Sequence, residues 1–298
     1  MKRLILIHGR SQEDKDALEL KTIWVTAWQN GLAKSNLALP ISEDRIRFIY
    51  YGNTLRDMCE GLPASKAADV IYRGANAGAD DRERLQELLL AYLTGLGIEP
   101  AQVDAVQRRV TGNEVVERGP QNWAWVQAVI RTIDAHVPGA GTLIAMITND
   151  VHQYLSKDSF RSVIEDGIIA ALSEEEESVI VAHSLGTIVA YKLLHRLSQS
   201  GAWKVPVFVT LGSPLAINAI RERLRPIRHP SCVSQWYNAR DPKDVVALYP
   251  LDRDHFKVTP EVDDSSHVSN WKNNRHGIEG YLDDERVARR IVDALSEG

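Results

Sequence analysis

Cysteine is nearly absent from this sequence: Cys59 and Cys232 stand far apart and outside any C-x-x-C spacing. A disulfide framework and a thiolate metal site are both excluded, and the pair reads as reduced thiols. Positive charge is not in excess either, since 35 Lys and Arg against 40 Asp and Glu leave a net charge of -5, with an isoelectric point near 6.0. Lys and Arg are scattered among acids, so no basic footprint for nucleic acid results. There is no H-E-x-x-H, and the histidines lack metal-ligand spacing. No metal or other cofactor is expected. Long apolar runs are missing too: the uncharged stretch from Ala135 to Asn149 contains Pro138, Gly139 and Gly141, and it falls short of the roughly 20 apolar residues of a spanning helix. After Met1-Lys2-Arg3 the chain passes at once into a short strand pattern, too brief for the apolar region of a secretion signal. The expectation is a soluble, cytoplasmic protein with no transmembrane segment and no nucleic-acid partner, its oligomeric state open.

What is present suits a globular α/β protein. Hydrophobic residues make up 44% and charged residues 25% of 298 positions, enough to build one large domain or a domain with an insertion. No repeat or low-complexity linker breaks the sequence, so 1–298 reads as a single domain. Apolar runs at Leu4 to Ile7, Arg45 to Tyr51, Val179 to Ala182, Val205 to Leu211 and Ser231 to Asn238 predict strands. Helical spacing marks Glu13 to Leu37, Asp80 to Leu96, Pro100 to Arg109, the stretch after Pro120, Asp158 to Leu172, Leu185 to Leu194 and Asp283 to Leu295. The alternation of strand and helix predicts a mostly parallel sheet with helices on both faces. It lapses between about Thr54 and Val151, which reads as a helical insertion.

The most informative stretch is Ser178 to Leu194, SVIVAHSLGTIVAYKLL. A buried strand turns abruptly into a helix at Ala182-His183-Ser184-Leu185-Gly186, a G-x-S-x-G pattern with alanine at its first position. Such a turn needs small residues two before and two after the serine, because strained backbone and adjoining helix crowd those positions. It lifts Ser184 Oγ above the sheet edge. The N–H of Leu185, opening a helix, points where an oxyanion would form. His183 is expected to point away from Oγ and to pack or hydrogen-bond locally.

The stretch resembles serine esterases and lipases of the α/β-hydrolase fold, and matches near both ends extend the resemblance over most of the sequence. The resemblance implies that His8-Gly9 closes the strand before the oxyanion loop, where the N–H of Arg10 would be a second oxyanion donor. It also implies the chain order Ser, then Asp or Glu, then His. Relatives carry an acid in a D-x-V pattern after the next strands, which Asp244-Val245-Val246 matches best. Asp241 is the second choice, with Asp252 and Asp254 behind. For the base, His276 precedes a Gly280-Tyr281-Leu282 stretch like that of the relatives and is preferred to His267. His195 lies about three helical turns beyond Ser184, out of reach. Gly212-Ser213-Pro214 reads as a turn, and Ser213 is given no catalytic role. The expected activity is hydrolysis of a small-molecule ester or lipid-like substrate through Ser184, Asp244 and His276, with residues 54–151 as a cap. Thioesters, amides and phospholipids stay open as substrates, and a catalytically silent binding or regulatory module is the alternative of a different class.

Overall fold

Strands buried on both faces must be apolar nearly throughout, and the pattern holds in a computed structural model of the protein, which describes residues 2–9, 17–50, 79–111, 118–172 and 176–296. Six strands form one sheet: β1 (Arg3–Ile7), β2 (Ile46–Ile49), β3 (Ser178–His183), β4 (Val205–Leu211), β5 (Val233–Ala239) and β6 (Asp263–Ser265). Their spatial order is β2-β1-β3-β4-β5-β6, and every pairing is parallel. All six residues of β3 are buried.

The chain divides into two compact units, one of residues 1–53, 159–216 and 224–298, the other of residues 54–158 and 217–223. The first holds the sheet with helices α1 (Ala17–Ala33), α6 (Asp158–Ala171), α7 (Leu185–Leu197), α9 (Ile278–Leu282) and α10 (Glu285–Ser296). Alternation in the strands sends Leu4, Leu6, Val179, Val181, Val207 and Val209 into one core with Trp24 and Trp28 of α1, Tyr281 of α9 and Val287 and Ile291 of α10. On the other face Trp236 of β5 packs on Phe208 of β4 and Tyr191 of α7, at centroid distances of 5.2 and 5.5 Å. The second unit is helical in its described part: α2 (Ala79–Gly95), α3 (Pro100–Thr111), α4 (Trp123–His136), α5 (Ala140–Ser156) and the short α8 (Asn218–Arg221). Asn122 caps α4 by accepting from the N–H groups of Ala124 and Trp125.

Several elements depart from the sequence pattern. The β6 segment is three polar residues at the sheet edge, held by Asp264, whose Oδ1 accepts from Asn238 Nδ2 at 2.6 Å and from the N–H of Leu251 at 2.8 Å. Nothing apolar advertises it. A helix, α5, follows Pro138 and Gly139 at once, with Gly139, at φ 80, as its N-cap. The insertion therefore stays helical through Ser156. The helix expected from about Asp283 forms as α10, and the short α9, which the pattern did not mark, precedes it across a turn at Asp283 and Asp284. Glu13 to Asp16 and Tyr51, the outer ends of a helix and a strand expected from sequence, lie outside the described residues, as does the first part of the insertion. Among the described residues no helix is long and apolar enough to cross a membrane.

The strand order places a site. From β1 the chain goes to β2 on one side, then returns to β3 on the other, so β1 and β3 flank a point where the winding reverses. Crevices outside the carboxyl ends of strands open at such points. Ile7 of β1 is level with Ala182 of β3. The next residues are His8-Gly9 and His183-Ser184.

Candidate active site

Ser184 stands at the carboxyl end of β3 as the N-cap of α7, with φ 56 and ψ -128. A side chain with φ in this range is strained by about 1–3 kcal/mol, and the surrounding structure must hold it there. The N–H of Ser184 donates to Leu211 O at 3.1 Å, while its own carbonyl accepts from the N–H of Thr187 at 2.9 Å and Thr187 Oγ1 at 2.7 Å. Two glycines let the turn sit against β1. A Cβ on Gly186 would lie 2.6 Å from the carbonyl oxygens of Ile7 and His8, and one on Gly9 would lie 2.5 Å from Ser184 Cβ. Alanine at 182, fully buried, is tolerated.

Two loops at the same edge bring up the partners. His276 Nε2 is 2.9 Å from Ser184 Oγ, and His276 Nδ1 is 2.8 Å from Asp244 Oδ2. A carboxylate only accepts, so Nδ1 carries the proton and Nε2 is left to accept from the serine hydroxyl. Asp244 is 1% exposed, Ser184 2% and His276 5%. The buried carboxylate is satisfied on both oxygens, since Oδ2 also accepts from Tyr281 Oη at 2.6 Å and Oδ1 from the N–H of Val246 at 2.8 Å. Burial first, then the charge of Asp244, pushes the Tyr281 hydroxyl well above the usual tyrosine range, so it remains a donor.

The three residues chosen from sequence as Ser, His and Asp therefore meet in one hydrogen-bonded chain. The competing candidates lie elsewhere. Asp241 makes no hydrogen bond to His276: its Oδ1 accepts from the N–H of Lys243 at 2.7 Å and its Oδ2 from the N–H of Asn270 at 2.8 Å, tying two loops together. His267 is exposed, and His255 bonds Asp252. Ser213 Oγ pairs with Thr187 Oγ1 at 2.9 Å, inside the turn. Leu185 is the first residue of α7, and the first N–H groups of a helix have no acceptor within it. Arg10 lies outside the described residues.

Two neighbours of the site carried no functional reading in the sequence, and a third, His8, was read only with Gly9 as closing the strand before the oxyanion loop. Gly212 has φ 55, and a Cβ there would stand 3.1 Å from Asp244 Oδ2 and 3.2 Å from His276 Cε1. A glycine ending a strand was its only signal. Tyr281 served there only as part of a family-like stretch, and a phenol donating to the acid leaves no trace in spacing. His8 is buried with its ring on Phe48 and Tyr50, at centroid distances of 5.7 and 5.4 Å. Burial lowers its pKa to about 4. Among the described residues no group of three His, Cys, Asp or Glu side chains is placed to hold a metal ion.

A second grouping of the same residue types occurs in the helical unit. Ser156 Oγ is 3.4 Å from His152 Nδ1, and His152 Nε2 is 3.0 Å from Asp81 Oδ1. Burial pushes His152 down to about 4 against the opposing pull of Asp81. Arg84 donates to the same serine oxygen at 3.3 Å.

No family model, curated protein or solved structure matches the chain.

Proposed function

We propose that the protein is a serine hydrolase of carboxylic esters built on an α/β-hydrolase fold. The observation that carries the reading is the unbroken chain from Ser184 Oγ through His276 to Asp244, standing on a strained, positive-φ turn between a buried strand and a helix. A serine hydroxyl is a poor nucleophile at neutral pH and needs a positioned base.

In this mechanism Ser184 Oγ attacks the ester carbonyl carbon while its proton passes to His276 Nε2. The carbonyl π electrons move onto oxygen, where the N–H of Leu185, at the positive end of α7, stabilises them. The N–H of Arg10 is the second donor that the family resemblance implies. Collapse of the tetrahedral species expels the alkoxide, which takes the proton from His276, and an acyl-serine remains. Water then attacks that acyl carbon with His276 as base, releasing the acid and restoring Ser184. Asp244 holds the imidazole in its Nδ1–H tautomer and stabilises the imidazolium during both transfers.

Residues 54–151 are the proposed substrate-recognition cap, and small-molecule or lipid-like esters are the proposed substrates. Mixing the protein with an aryl ester in a rapid-mixing instrument tests the chemistry. An initial burst of phenol approaching one per chain is expected, followed by slower turnover. No burst and no turnover with short or long acyl chains would remove the enzyme reading.

A further inference from the structure

We propose that His183 is a positioning residue, holding the His276 imidazole in register between Ser184 and Asp244 by gripping the main chain of His276 and packing on its ring. His183 Nε2 lies 2.9 Å from the carbonyl oxygen of His276. A carbonyl only accepts, so His183 donates Nε2–H. The two rings lie 4.6 Å apart between centroids with planes 34° apart.

His276 needs such a hold because of where it sits. It belongs to the segment between β6 and α9, which has no helix or strand of its own, and it follows Arg275, whose φ is 55. Two of the segment's hydrogen bonds stay within it, the N–H of His276 donating to Asn274 Oδ1 at 3.1 Å and Asn270 Nδ2 to Gly277 O at 2.7 Å, while the Asn270 N–H ties it to Asp241 Oδ2 at 2.8 Å. His183, in contrast, is the last residue of β3 and is level with Leu211 of β4. Its ring is braced edge-on by Trp24, at 6.2 Å, and by Tyr281, tilted at 53°, at 5.9 Å. A strand of the sheet therefore fixes an irregular segment at one atom and one ring face, which is how a site built on a scaffold keeps its geometry.

The chemistry of His183 suits the task. Burial holds its pKa well below the usual imidazole range, and the charge of His276 lowers it further. When His276 accepts the proton of Ser184, its neighbour stays neutral and does not repel the new imidazolium. Neither group on His183 reacts.

The inference rests on the hydrolase reading only for its kinetic arm. Two variants separate its parts: His183→Phe keeps a ring and loses the donor, whereas His183→Gln replaces the donor with an amide N–H of similar reach. Turnover of an aryl ester, melting temperature and the downfield proton resonance of the His276–Asp244 hydrogen bond are measured on each. For His183→Phe, kcat should fall about 10-fold to 100-fold with KM nearly unchanged, the size of loss that misplacing a catalytic group produces. The resonance should broaden, and His183→Gln should recover most of kcat and a sharp resonance. Wild-type kcat in His183→Phe overturns the proposal, as do equal losses in both variants that track melting temperature. If the wild-type protein turns over no ester, the resonance decides alone. Its loss in Phe and retention in Gln support the positioning role while the hydrolase reading falls, and its persistence in Phe overturns the role.

Discussion

Ser156 and Ser184 each face a histidine that faces an aspartate, yet the two serines stand on opposite kinds of backbone. Ser156 is the last residue of α5, one helical turn beyond His152, at the end of a helix where the macrodipole is negative. An oxyanion there meets unsatisfied carbonyls, and the serine oxygen already accepts from Arg84. Ser184 caps the start of α7, where the dipole is positive and N–H groups are free of helical acceptors. The acids differ as well. The Asp81 side chain is 25% exposed, while that of Asp244 is fully enclosed and takes three hydrogen bonds. The residue types are the same in both places: the strained turn, the helix polarity and a desolvated, satisfied acid are what set the proposed nucleophile apart.

Removing each serine is the sharpest way to break this comparison. Ser184→Ala should lower kcat for an ester by on the order of 10⁴ to 10⁶, while Ser156→Ala should leave it unchanged. A large loss from Ser156→Ala would erase the distinction. Next in size, Asp244→Asn should cost about 10⁴ in kcat, as the same change does in other Ser-His-Asp sites. Asp241→Asn should loosen the loop tie with a much smaller loss, and Asp81→Asn should leave turnover intact. Reversed severity between Asp244 and Asp241 in steady-state kinetics would move the acid's role.

Smaller effects probe the supports. Tyr281→Phe removes one donor from Asp244 and the acceptor of the Asp241 N–H, which is 3.2 Å from Tyr281 Oη. Denaturant unfolding should show a loss of about 1–3 kcal/mol, the cost of leaving buried polar groups unpaired, with a modest fall in kcat. An unaltered midpoint would mean that the hydroxyl contributes nothing. The acid side of the stability curve gives the mildest test. His8, with a native pKa of about 4 against 6.5 ordinarily, stays neutral in the folded chain and takes a proton on unfolding. Its contribution is complete above pH 6.5 and is lost as pH falls toward 4. His8→Phe should flatten the slope of unfolding free energy in that window by up to about 1.4 kcal/mol per pH unit. An unchanged slope would show that His8 is not a neutral native histidine.

Much of this was legible in the residues because burial dictates composition. Strands enclosed on both faces are apolar nearly throughout, so β1, β3 and β4 announce themselves, and Gly186 is required by the 2.6 Å approach of β1. The candidate serine followed from that turn, and the candidate base and preferred acid from the chain order and the D-x-V and Gly-Tyr-Leu stretches that the family resemblance implies. What stayed hidden is held by tertiary contact. The β6 strand is three polar residues, with one aspartate bonded to Asn238 of β5, and the choice between Asp244 and Asp241 depends on which carboxylate the loop aims at His276, which D-x-V spacing only suggests. His183 was expected to pack or hydrogen-bond locally; its ring does pack on neighbouring rings, but its hydrogen-bond partner is 93 residues away in the chain. A sequence shows neighbours along the chain, and this site is made of neighbours across it.

The central claim is that one serine of the folded protein is an activated nucleophile. Treating native protein with a fluorophosphonate, digesting it and locating the adduct by mass spectrometry tests this directly. A single phosphonyl group on Ser184 is expected, absent from Ser156 and from protein unfolded before treatment. No adduct on native Ser184, or one on Ser156, would contradict it.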